Sequence, residues 1–241
     1  MEQIALALVA AFAAAFVRGL SGFGMAILIV PVLGLTISPQ SAVITSNILG
    51  FLIGLVGLKK IVADSENSAG PIALLAVVAT PPGLWLLSVT DPAVARLSIA
   101  IVALLAFGLL LLPKRANTYR ASVWETGMTG ITSGLLTGFA GMPGPPVVPY
   151  YLRRTIMPQV ARASMMAIFM ATSLAGILAS FALGLMTSRE PLLAAILFPA
   201  ILLGNTVGAR AFGKISDPAW RTFTGVVLGV AAAGAMVKLF N

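Results

Sequence analysis

Two glycine-rich interruptions hold the residues best suited to chemistry in this chain. The first, Gly19-Leu20-Ser21-Gly22-Phe23-Gly24, follows Arg18 and precedes Val30-Pro31. The second, Gly138-Phe139-Ala140-Gly141-Met142-Pro143-Gly144-Pro145-Pro146, precedes Val148-Pro149. Both lie inside long apolar runs. Glycines let a ligand approach backbone amides closely, and the start of a half-helix offers N–H donors at a positive dipole end. This is chemistry for holding an anion. A packing reading stands beside it, because small residues also let apolar helices approach one another.

Arg18 is the basic residue deepest within an apolar run, just ahead of the first break. A charge at such depth is costly and tends to be functional, though an arginine there can also cap carbonyls or reach outward. Ser21, Ser133 and Thr137 bring hydroxyls to the breaks. Thr45-Ser46-Asn47, Thr172-Ser173 and Asn205-Thr206 lie farther along apolar segments. Hydroxyls commonly bond back to their own helix. A buried amide must find partners, so Asn47 and Asn205 are read as interhelical bonds or as ligand contacts. Met165-Met166 and Met170 are read as apolar filler. The binding set expected from the first half is Arg18, Ser21, Gly22, Phe23, Gly24, Ser46 and Asn47. From the second half it is Thr137, Gly138, Gly141, Met142, Gly144 and Asn205.

What is missing narrows the chemistry further. The chain has no cysteine and no histidine, which removes disulfides, thiol chemistry, histidine–zinc sites and histidine-ligated haem. Asp91 and Asp217 each precede a proline at a helix start, the arrangement of an N-cap. Glu125 stands near the mouth of the second break, as a cap or at an entrance. No carboxylate lies in the middle of an apolar segment, so a carboxylate proton relay is not expected. Hydrolysis would need a nucleophile with a paired base, and no lysine is buried mid-segment to serve a serine. No catalytic residue, metal or cofactor is therefore expected.

The elements that must position these residues follow from composition. Hydrophobic residues make up 59% of the 241, charged residues 9%, and mean hydropathy is +1.03. Soluble domains carry roughly 25% charged residues, so the chain is expected to be a polytopic, all-α membrane protein. Spanning a bilayer takes about 20 apolar residues. Apolar runs between Pro, Gly and charge breaks suggest eight segments: 4–35, 41–58, 69–89, 91–112, 123–152, 161–186, 191–208 and 218–240. The net charge of +8 sits in short connections, where it sets topology and meets lipid headgroups rather than nucleic acid. Met1-Glu2-Gln3 lacks a basic stretch, so the start reads as the first membrane segment rather than a cleaved signal.

The halves repeat. Ser21-Gly22-Phe23-Gly24 corresponds to Thr137-Gly138-Phe139-Ala140, Pro39-Gln40 to Pro158-Gln159, and Asp91-Pro92-Ala93 to Asp217-Pro218-Ala219, at offsets of 116 to 126 residues. The expected organisation is a first repeat over 1–113, a linker over 114–122 and a second repeat over 123–241. Basic clusters fall at Lys59-Lys60, Lys114-Arg115 with Arg120, Arg153-Arg154 with Arg162, and Arg210, Lys214 and Arg221. If every segment crossed once, the clusters flanking the fifth would face opposite sides, against the positive-inside rule. A fifth segment that turns at its break and leaves where it entered puts all four clusters on one side. The repeat extends this broken or re-entrant hairpin to the first segment. Each half then crosses three times, which inverts the second half relative to the first, as in many secondary transporters.

Gly22-Phe23-Gly24 with Val30-Pro31 and the Thr45-Ser46 helix resembles the first-half signature of the TauE/SafE sulfite exporter family, also called toluene-sulfonate uptake permeases. The Gly138–Pro146 break with Val148-Pro149 resembles its second-half signature. In the first break Phe23, Met25 and Ala26 stand among what is more often a run of glycines. The resemblance covers essentially the whole chain. It implies a multi-pass protein of a bacterial or archaeal inner membrane that moves sulfite, thiosulfate, sulfonates or sulfoacetate. Alternating access by rocking of one half against the other would move the anion. A channel-like conduit, or transport of another small carboxylate or inorganic anion, are the alternatives. Expected partners are the small anion and membrane lipids, with a homodimer also admitted.

Overall fold

The computed structural model describes residues 2–111, 121–152, 154 and 156–212. Lys114, Arg115, Arg120, Arg153, Lys214, Asp217, Arg221, most of the expected linker and the segment over 218–240 lie outside the described residues. Ten helices form among the described residues, without a strand: α1 (Glu2–Ser21), α2 (Met25–Gly34), α3 (Pro39–Leu55), α4 (Leu58–Asp64), α5 (Ala69–Val89), α6 (Pro92–Leu111), α7 (Val123–Ala140), α8 (Gly144–Leu152), α9 (Pro158–Ala182) and α10 (Arg189–Ala211). Their starts carry local signals. Ser38 accepts from Ser41 N ahead of Pro39, and Asp91 Oδ1 accepts from Ala93 N ahead of Pro92. Ser122 and Glu125 form a reciprocal capping box, which places Glu125 as a cap.

Among the described residues α5, α9 and α10 are each long and apolar enough to cross a membrane. A fourth span results if α3 and α4 are taken together, although they meet at 82°. Lys59-Lys60 therefore lies on a short helix rather than in an open connection. Gly57 makes this bend with φ 85°, and α4 turns Ile61 inward while both lysines stay out. Outer faces remain apolar, with Trp85, Leu105, Phe181 and Leu203 all exposed.

Glycine ridges set how closely the helices pack. On α7, Gly130, Gly134 and Gly138 recur every fourth residue and so share one face. They lie against the carbonyls of Ile72, Ala76 and Thr80, which recur at the same interval on α5. Gly204 and Gly208 of α10 meet the carbonyls of Phe12 and Phe16 on α1, and Gly19 of α1 meets that of Asn205. So α7 pairs closely with α5 and α1 with α10. Between these pairs stand α3 and α9, packed against one another, with α2 and α8 short and largely buried.

Polar contacts sort the connections into two groups. Thr126 at the start of α7 bonds Tyr150 near the end of α8, 2.9 Å between hydroxyls, so this broken unit begins and ends at the same place. Beside it, Arg154 pairs with Glu66 and Ser164 Oγ accepts from Glu66 N. Elsewhere, Ser41 at the start of α3 donates to Glu190 at the start of α10, 2.7 Å, and Arg96 donates to Gly34 O at the end of α2.

The ridge has a measurable consequence. A Cβ at Gly134 would collide with the backbone of Ala76, whereas one at Gly127 on the same helix meets nothing within 4 Å. Gly134→Ala should therefore destabilise by about 1–3 kcal/mol through overpacking. Gly127→Ala should be neutral or stabilising, since alanine is the better helix former by about 1 kcal/mol. Thermal melts of the two variants in detergent check the contrast; equal melting would contradict the ridge.

Candidate functional site

The first break is a reversal built on Gly22 (φ 87°) and Gly24 (φ 94°), a left-handed backbone that disfavours a side chain. Ser21 Oγ lies 2.7 Å from Val17 O and 2.9 Å from Phe23 O, and it accepts from Phe23 N at 3.3 Å. It therefore serves the turn itself. Gly24 caps α2 without a side-chain bond, so the N–H groups of Met25, Ala26 and Ile27 begin α2 without helical acceptors. At the second break Gly141 (φ 68°) ends α7. Its N–H donates to Thr137 O and that of Met142 to Leu136 O. Helix α8 opens Gly144-Pro145-Pro146-Val147. Two prolines there lack N–H donors, so this tip offers far fewer amides than the first.

The two tips meet. Gly24, Met25, Ala26 and Ile27 of the first and Gly141, Pro143 and Gly144 of the second line one cavity, about 440 Å³ with its opening included. Arg18, Phe23, Ser46, Gly50, Phe169 and Ser173 complete its described wall. Of the expected set, Arg18, Phe23, Gly24, Ser46, Gly141 and Gly144 thus come together. Arg18 is 4% exposed, and its Nη1 donates to Asn205 Oδ1 at 2.8 Å. No described residue lining this cavity is acidic. Among the described residues the buried guanidinium is held by a neutral amide alone, an arrangement that favours a bound anion.

Other expected residues stand elsewhere. Gly22 lies beneath the side-chain stem of Arg162, and Gly138 packs against Thr80 O on α5. Thr137 Oγ1 donates to Ser133 O (2.7 Å) and Ser133 Oγ to Pro143 O (3.0 Å), which ties α7 to the tip. Met142 is wholly buried in the apolar core. Asn47 abuts Gly176 of α9, and its Nδ2 is buried without a hydrogen-bond partner. Asn205 is the bridge between Arg18 and a second space.

That second space is a wider vestibule, about 1200 Å³ with its opening included. Lys60, Arg162, Arg210, Asn205 and Asp64 are among its lining residues. Sequence reasoning used Arg162 only as a topological charge, and its position four residues into a helix gave no sign of its contact with the first break. Ser173 stood in a hydroxyl pair with no stronger mark. Glu190 served only as the charge that balances Arg189 in an external connection, although Thr187-x-x-Glu190 is a capping-box pattern. Its carboxylate accepts from Thr187 N and Oγ1 and from Ser41 Oγ.

The Arg18–Asn205 bond can be tested by stability. Asn205→Leu leaves a buried charged donor unpaired and should cost about 1–3 kcal/mol. Asn205→Asp supplies a carboxylate and should melt clearly above Asn205→Leu. Thermal unfolding in detergent reads both; equal melting of the two variants would contradict the bond.

The profile of the sulfite exporter TauE/SafE family matches residues 6–235. A relative from Cupriavidus necator, described as a probable sulfite/organosulfonate exporter TauE, is 30% identical over 108 residues. That match covers 44% of this chain and 42% of the relative, less than half the relative's length. No solved structure matches. Because the profile covers far more than half of the sequence, the chain belongs to the sulfite exporter TauE/SafE family of membrane transporters.

Proposed function

We propose that this protein moves small sulfur-containing oxyanions, such as sulfite, thiosulfate or organosulfonates, across the inner membrane of a bacterium or archaeon. The observation that carries this reading is the cavity where both backbone breaks meet beside Arg18 without a described carboxylate. The anion's oxygens accept from the free amides of α2 and sit near the Arg18 guanidinium. The proline-opened α8 closes the far wall and contributes shape more than charge. Such a site favours compact oxyanions, because the wall around the donors is apolar: Phe23, Met25, Ile27 and Phe169.

Two inverted repeats, over 1–113 and 123–241, move the anion by alternating access. Support comes from the exchange of partners: α1 pairs with α10 of the other half, and α7 with α5. The Thr126–Tyr150 bond supports a re-entrant α7–α8 unit, and Arg154, 5.3 Å from the centre of the Tyr150 ring, agrees with a cytoplasmic position for that end. Single cysteines at positions 121 and 156 should then react with an impermeant thiol reagent from the same side of the membrane. Labelling from opposite sides would overturn the hairpin.

Transport itself is read in liposomes. Arg18→Gln removes a charge-assisted donor worth about 1.5–3 kcal/mol, so anion binding should weaken roughly ten- to a hundredfold. Uptake of radiolabelled thiosulfate by wild type and variant tests this. Full activity in Arg18→Gln, at unchanged protein content, would remove Arg18 from the site.

A further inference from the structure

Arg162 lies where the vestibule meets the first break. Its Nη2 donates to Gly19 O at 2.6 Å, its aliphatic stem lies over Gly22, and its guanidinium sits 5.0 Å from the centre of the Phe212 ring. Its Nε is buried without a hydrogen-bond partner. It lines the vestibule together with Lys60 and Arg210, where Asp64 is the single acidic residue among the described lining. On the other side of the same backbone turn, Arg18 lines the tip cavity. Asn205, which holds Arg18, faces the vestibule as well.

We propose that Arg162 is the latch between vestibule and tip cavity, and that an oxyanion in the vestibule releases it. The inference rests on the transport reading above and adds the residue that controls access to its site. The physics is a competition for one guanidinium. Among the described residues Arg162 has a neutral carbonyl, an aromatic face and an unpaired Nε, none of which neutralises its charge. A bound oxyanion offers charge-assisted hydrogen bonds roughly twice as strong as neutral ones. As Arg162 turns toward the anion, it leaves Gly19 O and uncovers Gly22, the first hinge glycine of the break. The anion can then pass from Lys60, Arg162 and Arg210 to Arg18. Closing the latch behind it restores the separation.

The test uses the absence of native cysteine. A single Ser173→Cys places one thiol on the tip cavity, and a separate Lys60→Cys protein identifies the vesicle orientation that exposes the vestibule. In that orientation, labelling of Ser173→Cys by an impermeant anionic thiol reagent should be slow with Arg162 present. It should be at least about tenfold faster with Arg162→Ala or Arg162→Met. The methionine variant keeps an unbranched stem over Gly22 and removes only the donors, so it carries the test if the alanine variant fails to insert. An unchanged labelling rate in a variant that inserts would overturn the latch. Faster labelling in a protein that transports no sulfur oxyanion would keep the latch and discard the transport reading. Thiosulfate uptake by wild type with no change in labelling would do the reverse.

Discussion

Interrupted backbone inside an apolar bundle is the constraint from which the rest of this structure follows. Each break leaves peptide groups without helical partners, and each such group costs several kcal/mol in hydrocarbon. The protein meets this cost differently at its two breaks. At the first, Ser21 folds back on Val17 and Phe23, and Arg162 takes the carbonyl of Gly19. At the second, Ser133 donates to Pro143 O, and prolines remove amides that would otherwise need acceptors. The start of α2 keeps amides without helical acceptors, and its residues Met25, Ala26 and Ile27 line the cavity together with Arg18.

Close packing makes the arrangement possible. Broken helices are short, so they must be enclosed by longer ones. The ridge Gly130–Gly134–Gly138 lets α7 rest directly on the carbonyl row of α5, while Gly204 and Gly208 do the same for α10 on α1. Hydrophobic burial gives no drive for helix association within lipid, so van der Waals contact between small residues must supply it. The same glycines could be taken for ligand contacts from their spacing alone. Gly138 illustrates this: it belongs to a site motif by sequence and to the α5 interface by position.

Charge follows a similar division. Arg154 is neutralised by Glu66, and the Glu190 carboxylate is met by Ser41 and Thr187. Arg18 and Arg162 instead rest on neutral acceptors, one on each side of the first turn. The Arg154–Glu66 pair and the hydrogen-bonded Glu190 thus hold connections in place, while Arg18 lines the tip cavity and Arg162 the vestibule.

Composition and order along the chain were enough to determine a helical membrane protein, the two breaks, the capped start after Asp91 and the family. Each of these depends on neighbours in sequence: apolar run length, glycine spacing, a proline after Asp91. The helical extent of α4 was missed because Lys59-Lys60 reads as a loop charge until Gly57 bends the chain. Tertiary structure alone decided which members of each motif reach the cavity. It placed Gly24, Gly141 and Gly144 there, but turned Gly138 to α5, Thr137 to Ser133 and Asn47 to α9. It also joined Arg18 to Asn205 and Arg162 to Gly19, across 187 and 143 positions. Such pairs leave no local trace, since a side chain's partner in a bundle depends on how the helices pack, and only the packed bundle sets that.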